Sequence, residues 1–91
     1  MTPVRIRFRF RGRVQGVGFR QYVAMCSHRL RIGGFVENRP DGSVVAELEG
    51  EPAALQELER LLREEHPTAR VDGVTREEMA AQGSVPPVRI R

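Results

Sequence analysis

Residues 4–11, VRIRFRFR, alternate apolar and basic side chains without exception. The two sets are Val4, Ile6, Phe8 and Phe10 on one side and Arg5, Arg7, Arg9 and Arg11 on the other. Period-two alternation predicts a β-strand with one buried face and one charged face. The strand begins a sheet whose apolar side needs a covering layer from elsewhere in the chain.

Two later segments carry apolar residues at helical spacing. The stripes comprise Phe19, Val23, Cys26 and Leu30 in the first segment and Leu55, Leu58 and Leu62 in the second. They predict an amphipathic helix over about residues 20–30, ended by Gly33–Gly34. A second helix is predicted from Pro52, which suits a first helical turn, to His66–Pro67. The two helices can supply the covering layer.

The segment between the helices, GFVENRPDGSVVAELEG at residues 34–50, has the pattern of a hairpin. It predicts strands over 35–39 and 43–49, joined by turn residues Pro40–Asp41–Gly42. A further strand is predicted over 71–76, and a short edge strand in PVRIR at 87–91. The order β-α-β-β-α-β predicts the ferredoxin-like split βαβ sandwich (βαββαβ), an α+β fold. In it, two helices cover one face of an antiparallel sheet and the opposite face meets water.

Length and composition narrow the class of protein. The chain has 91 residues and a formal net charge of +3, and all 15 Lys-or-Arg positions are arginine. This length suits one domain spanning residues 1–91. The single cysteine cannot form an internal disulfide, and no apolar run approaches the roughly 20 residues that cross a bilayer. Without a recognisable signal peptide, we expect a cytoplasmic protein with no membrane partner.

The arginine stripe raises the possibility of a nucleic-acid partner. Glu47 and Glu49 share the outward face of the third strand, expected beside the first strand, with Glu37 adding a charge from the second. Opposite charges paired across strands stabilise a sheet by roughly 0.2–1 kcal/mol per pair. An RNA-binding module of this topology stacks bases on outward aromatic residues, yet Phe8 and Phe10 fall on the inward face. We therefore expect a solvated lattice of ion pairs and no nucleic-acid partner.

Residues 12–20, GRVQGVGFR, join the first strand to the first helix. The spacing matches neither a dinucleotide-binding nor an ATP-binding glycine loop. Glycines nevertheless let consecutive N–H groups turn inward into a concave nest, beside the partial positive charge of a helix N-terminus. Arg20 adds a planar fork of donors suited to phosphate or carboxylate. On spacing alone, an anion site and a tight turn ending in a surface arginine are equally compatible with this loop.

GRVQGVGFR closely resembles the first signature of acylphosphatases, small enzymes that hydrolyse the carboxyl–phosphate bond of acyl phosphates. The segment Gly34–Gly50 resembles the second signature: glycine, aromatic, small apolar, variable and asparagine, followed by glycine, valine and a closing glycine. The length and the βαββαβ fold of that family match the expectations above. The resemblance thus covers nearly the whole chain.

The resemblance implies a role for each matching position. Arg20 corresponds to the phosphate-binding arginine and Asn38 to the asparagine that positions the attacking water. The phosphate cradle falls on the main-chain amides of Gln15, Gly16, Val17, Gly18 and Phe19, together with Arg20. Glu37 departs from the family pattern, which usually has a basic, amide or small residue there. Strand alternation turns Glu37 away from the asparagine, so we expect catalysis to survive.

The implied reaction converts an acyl phosphate to a carboxylate and inorganic phosphate by in-line attack of a positioned water. No cofactor is expected, and no metal, because no Asp, Glu, His or Cys cluster has metal-ligand spacing. Inorganic phosphate would be both product and competing ligand, and we expect a monomer. Two alternatives stay open: a carbamoyl-phosphate-handling module of a hydrogenase-maturation carbamoyltransferase, and a binding protein that keeps the nest without hydrolysis. The presence of both Arg20 and Asn38 argues against the second.

Overall fold

The structure is a computed structural model that describes residues 2–91. Its elements follow the predicted order, including the short edge strand expected in residues 87–91. They are β1 (Val4–Arg13), α1 (Phe19–Arg29), β2 (Gly33–Asn38), β3 (Val44–Gly50), α2 (Pro52–Glu64), β4 (Arg70–Met79) and β5 (Arg89–Ile90). The ferredoxin-like α+β fold expected from the sequence is confirmed.

The five strands form one sheet in the order β4-β1-β3-β2-β5. The first and third strands lie side by side at its centre, as predicted, and the β1, β2, β3 and β4 pairings are antiparallel. The short β5 strand instead runs parallel to β2, with Phe35 opposite Arg89 and Val36 opposite Ile90. The sheet is therefore mixed at this edge. Residues 80–88 connect β4, at one edge of the sheet, to β5, at the opposite edge.

The core lies between the sheet and the two helices. Phe8 and Phe10 from β1 are 2% and 0% exposed, and their rings stack with centroids 5.7 Å apart. The predicted stripe of α2 is fully buried, whereas in α1 Phe19, Val23 and Cys26 are buried and Leu30 is partly exposed. Amphipathic periodicity thus places each helix on the apolar face of the sheet.

The outer face of the sheet is less open than the sequence predicted. Arg5 is 3% exposed, and its guanidinium donates to the carboxylates of Glu47 and Glu49 and to the hydroxyl of Ser84. Residues 82–84 lie over this cluster, because the carboxylate of Glu49 accepts the main-chain N–H groups of Gln82 and Gly83. The expectation of a fully solvated lattice was wrong at Arg5, where a non-repetitive segment covers the charges.

Candidate active site

The loop between β1 and α1, residues 14–18, is built around two glycines in left-handed conformation. Gly16 has φ of 73° and Gly18 has φ of 74°, a region that side chains with a Cβ rarely adopt. Gly18 is also the N-cap of α1. Within residues 2–91, the main-chain N–H groups of residues 15–18 donate to no other main-chain group. The loop therefore presents unpaired donors directly before a helix N-terminus, an arrangement that favours an anion.

A pocket of about 250 Å³ opens on this loop. Its lining combines Gly16, Gly18, Phe19 and Arg20 from the loop and the first turn of α1 with Asn38 from β2, and is completed by Val14, Gln21 and Ile90. Asn38 reaches the pocket because it is the last residue of β2, at the end of the sheet where the loop also lies. One cavity therefore joins a guanidinium, a carboxamide and a glycine loop.

Arg20 is only lightly engaged. Its Nη1 donates to the main-chain oxygen of Arg91 at 2.8 Å, and among residues 2–91 no Asp or Glu side chain pairs with the guanidinium. The main-chain N–H of Arg91 donates in turn to the carbonyl of Val36 at 2.8 Å, which holds the end of β5 against β2. A guanidinium has five N–H donors, so most of those on Arg20 remain available to a ligand.

Asn38 carries a polar atom without a partner. Its Oδ1 is buried and accepts no hydrogen bond from residues 2–91. An unpaired buried acceptor costs free energy, and such groups occur where a ligand or a water completes the site. Asn38 therefore brings an acceptor without a protein partner to the pocket that the glycine loop also lines.

Comparison with known proteins agrees with this geometry. The Acylphosphatase family model matches residues 6–86. The chain belongs to the acylphosphatase family. An acylphosphatase of Anaeromyxobacter dehalogenans is 48% identical over 97% of this chain and 95% of its own length. The solved structure of an acylphosphatase from Coxiella burnetii superposes with a TM-score of 0.90 at 31% identity, covering 99% of this chain and 94% of that one.

A larger protein also contains a similar segment. Carbamoyltransferase HypF2 of Cupriavidus necator is 52% identical over 87% of this chain, and the match covers 10% of that protein. The acylphosphatase domain therefore occurs both alone and inside longer chains among the relatives of this sequence.

Membership of the acylphosphatase family directs attention to the seven predicted site positions. The structure brings Gly16, Gly18, Phe19 and Arg20 together with Asn38 around the pocket, whereas Gln15 and Val17 lie outside the lining. Gln15 instead uses its side chain: Nε2 donates to the carbonyl oxygens of Arg39 at 2.7 Å and Ser43 at 2.9 Å. The side chain thus fastens the loop to the β2–β3 hairpin. No pattern in the sequence signals this contact, since its two acceptors are main-chain atoms far along the chain.

Glu37 is neutralised by arginines. Its carboxylate lies 3.2 Å from Nη1 of Arg39 and 3.7 Å from Nη1 of Arg91, whose guanidinium stacks 3.7 Å from the centroid of the Phe35 ring. The departure from the family pattern at this position therefore adds a paired carboxylate rather than a free negative charge beside the pocket.

The other candidate chemistries find little support. Burial raises the pKa of the Cys26 thiol, which lies in the core as predicted and stays protonated rather than acting as a nucleophile. In the described part of the chain, no three His, Cys, Asp or Glu side chains gather where they could hold a metal ion. Among residues 2–91, no helix has the length and apolar character needed to cross a membrane.

A second, larger groove of about 940 Å³ lies between α2 and the sheet. None of the predicted site residues lines it, and its arginines are matched by carboxylates: Arg63 and Arg76 pair with Glu59, and Arg60 pairs with Glu57 and Glu64. Because each arginine there is paired with a carboxylate, chemistry rather than size identifies the smaller pocket as the candidate site.

Proposed function

We propose that this chain hydrolyses acyl phosphates to a carboxylate and inorganic phosphate in the pocket between the glycine loop and β2. The observation that carries the proposal is that one cavity is lined by a loop whose N–H groups are unpaired, by Arg20 and by Asn38, whose Oδ1 has no partner among residues 2–91. The three features are the donors and the acceptor that in-line attack of water on a phosphoryl group requires.

In the proposed mechanism, the loop binds the phosphoryl oxygens. The main-chain amides of residues 15–19 surround them, and Arg20 donates a bidentate pair of hydrogen bonds from the side. These donors are held in place before substrate arrives, so they stabilise the charge of the transition state without reorganisation. Gln15 maintains the geometry by tying the loop to the hairpin.

Asn38 provides the other half of the reaction. Its unpaired Oδ1 accepts a hydrogen bond from the attacking water and orients a lone pair towards phosphorus. The carboxylate of an acyl phosphate is a good leaving group, so no side-chain acid is needed to protonate it. One proton of the water passes to an oxygen of the phosphoryl group and the other stays on the attacking oxygen, so the products are a carboxylate and dihydrogen phosphate.

Carbamoyl phosphate is the second candidate substrate. The observation that favours it is the 52% identity to a segment of a carbamoyltransferase. The phosphoryl group to be bound is the same in both cases, so the loop cannot discriminate between them and the acyl group must. We further propose that the domain acts as a monomer in the cytoplasm, in line with its small size and its lack of a second cysteine.

The test is release of inorganic phosphate from benzoyl phosphate and, in parallel, from carbamoyl phosphate. We expect turnover of benzoyl phosphate, competitive inhibition by added inorganic phosphate, and no loss of rate with a chelator. Faster turnover of carbamoyl phosphate would favour the carbamoyltransferase-type module. Binding of phosphate without any turnover would overturn the enzyme assignment and leave a phosphate-binding protein.

A further inference from the structure

The turn between α2 and β4, residues 65–69, touches the glycine loop from outside the pocket. The hydroxyl of Thr68 donates to the carbonyl oxygen of Val17 at 3.3 Å. The two residues are 51 positions apart in the chain, so a separate element supports the middle of the loop. Neither residue lines the pocket.

The turn that carries Thr68 is itself fixed. Nδ1 of His66 accepts the main-chain N–H groups of Thr68 at 3.1 Å and Ala69 at 2.9 Å. The His66 ring packs against the rings of Tyr22 and Phe19, with centroids 4.7 and 5.9 Å away, respectively. Both aromatic residues belong to α1, the helix that directly follows the glycine loop. His66, which the sequence marked only as a helix end, is half-buried and holds the turn in place.

Peptide geometry links the Thr68 contact to the pocket. In a planar trans peptide the C=O and N–H groups point in opposite directions. A hydroxyl that holds the Val17 carbonyl outward therefore turns the N–H of Gly18 away from Thr68, and Gly18 lines the pocket. Gly18 has left-handed backbone and no side chain, so local sterics constrain this peptide weakly.

We infer that Thr68 is a positioning residue for phosphate: its hydroxyl fixes the Val17–Gly18 peptide so that the Gly18 N–H points at the phosphoryl oxygens. The inference rests on the proposed function, since it names a residue that acts on the same site without touching the ligand. Thr68 is exposed, and its hydroxyl makes one contact on the outside of the loop. Loss of the hydroxyl should therefore affect phosphate binding much more than stability.

The test compares Thr68→Val, which replaces the hydroxyl by a methyl group, with Thr68→Ser, which keeps it. Thr75→Val is the matched control, because Thr75 is an exposed threonine on β4, opposite Arg9 of β1 and away from the pocket. The readouts are the dissociation constant of inorganic phosphate, the amide proton shift of Gly18 on titration with phosphate, and the KM for benzoyl phosphate. We expect Thr68→Val to weaken phosphate binding about threefold to tenfold, the range of one net hydrogen bond.

The remaining outcomes each decide the proposal. We expect the phosphate-induced shift of the Gly18 amide to shrink in Thr68→Val and to return in Thr68→Ser, with equal thermal midpoints for all variants. Parent-like phosphate binding in Thr68→Val, or equal loss in Thr68→Ser, would overturn the inference. Phosphate binding by a parent protein that hydrolyses nothing would remove the proposed function alone, and the titrations would still decide the role of Thr68. A parent that binds no phosphate would remove both.

Discussion

Arg5 and Arg20 belong to two regions that use the same side chain in opposite ways. Arg5 lies under residues 82–84, 3% exposed, with every contact made to groups of the protein itself: two carboxylates and a hydroxyl. Arg20 lines the pocket and donates to a single main-chain oxygen. The Arg5 guanidinium makes four hydrogen bonds within the protein, whereas the Arg20 guanidinium makes one and keeps most of its donors free.

The difference separates structural from functional charge in this domain. A buried guanidinium is tolerated only when carboxylates and hydrogen bonds compensate for its lost hydration. A guanidinium that binds a ligand must instead keep some N–H donors unpaired. Arg20 can do so at little cost in stability because it is partly exposed to water. Free donors together with a place in the pocket lining therefore mark Arg20 as the candidate site arginine, whereas the alternating sequence of β1 directs attention to the structural ones.

The largest expected effect comes from truncating Arg20, the arginine that lines the pocket. Arg20→Ala should lower kcat for benzoyl phosphate by roughly 10²–10³. It should also raise KM, because charge-assisted hydrogen bonds to the phosphoryl group are lost in the ground state. The free energy of unfolding should stay near that of the parent. Arg29→Ala, at the exposed far end of the same helix, is the control and should keep parent activity.

Truncating Arg5 should lower stability and leave phosphate binding intact, the opposite of the effect expected for Arg20→Ala. Arg5→Met removes the guanidinium that bridges two buried carboxylates; Glu47 keeps its pair with Arg7 and Glu49 keeps its main-chain donors, so we expect a loss of about 3 kcal/mol, the lower end for a broken buried pair. Urea denaturation would measure the loss, and phosphate binding per folded molecule should persist. Arg9→Met, a partly exposed arginine on the same strand face that contacts Ser43 and Asp41, should cost less than about 1 kcal/mol. Equal losses in the two variants would contradict the contrast drawn between buried and open charge.

The carboxamide opposite Arg20 gives a third comparison. Asn38→Ala should reduce kcat for benzoyl phosphate by about 10²-fold, the lower end of the range for one pre-organised polar group. The dissociation constant of inorganic phosphate should change little, because Asn38 orients water rather than the phosphoryl group. A parent kcat in this variant would remove Asn38 from the mechanism and leave the site with Arg20 and the loop alone.

The smallest expected effect is the dependence of stability on pH that arises from the ion-pair cluster of Arg5, Glu47 and Glu49. Burial raises the pKa of Glu49, but the N–H groups of Gln82 and Gly83 and the Arg5 guanidinium outweigh burial and hold that pKa below its usual range. Stability from this carboxylate is therefore fully present above the unfolded pKa of about 4.3 and is lost as pH falls through the lower folded value.

Glu49→Gln removes that titration and tests its sign. The parent should exceed Glu49→Gln in free energy of unfolding at pH 7, and the gap should narrow when the urea experiments are repeated near pH 3. A gap that stayed constant across this range would mean that the charge of Glu49 contributes nothing through its pKa.

The regular elements were predictable because their apolar periodicity is local. The stripe Leu55, Leu58 and Leu62 fixed α2 to within a few residues, and the alternation from Val4 to Phe10 fixed β1. The end of β4 was missed: the strand runs to Met79 rather than to residue 76, since Glu77 and Glu78 break the alternation. Pairing with β1 extends the strand where local pattern does not.

The residues of the candidate site could be predicted from the sequence, but the contacts that hold neighbouring segments in place could not. Arg20 and Asn38 could be named because two short motifs resemble a known family, and the pocket brings them together. The contacts of Gln15 with the hairpin, of Thr68 with the loop and of Ser84 with Arg5 join residues 24 to 79 positions apart. Such pairs depend on how the elements pack in three dimensions, so they cannot be predicted from the periodicity of the sequence.

The amide of Gln15 has a mechanical consequence. By holding both carbonyls that flank the Pro40–Asp41–Gly42 turn, it ties the glycine loop directly to the end of β2 that carries Asn38. In the proposed mechanism, this tie helps to set the distance between the water held by Asn38 and the phosphorus held by the loop. Thermal motion of the hairpin tip can therefore leave the reactive distance unchanged.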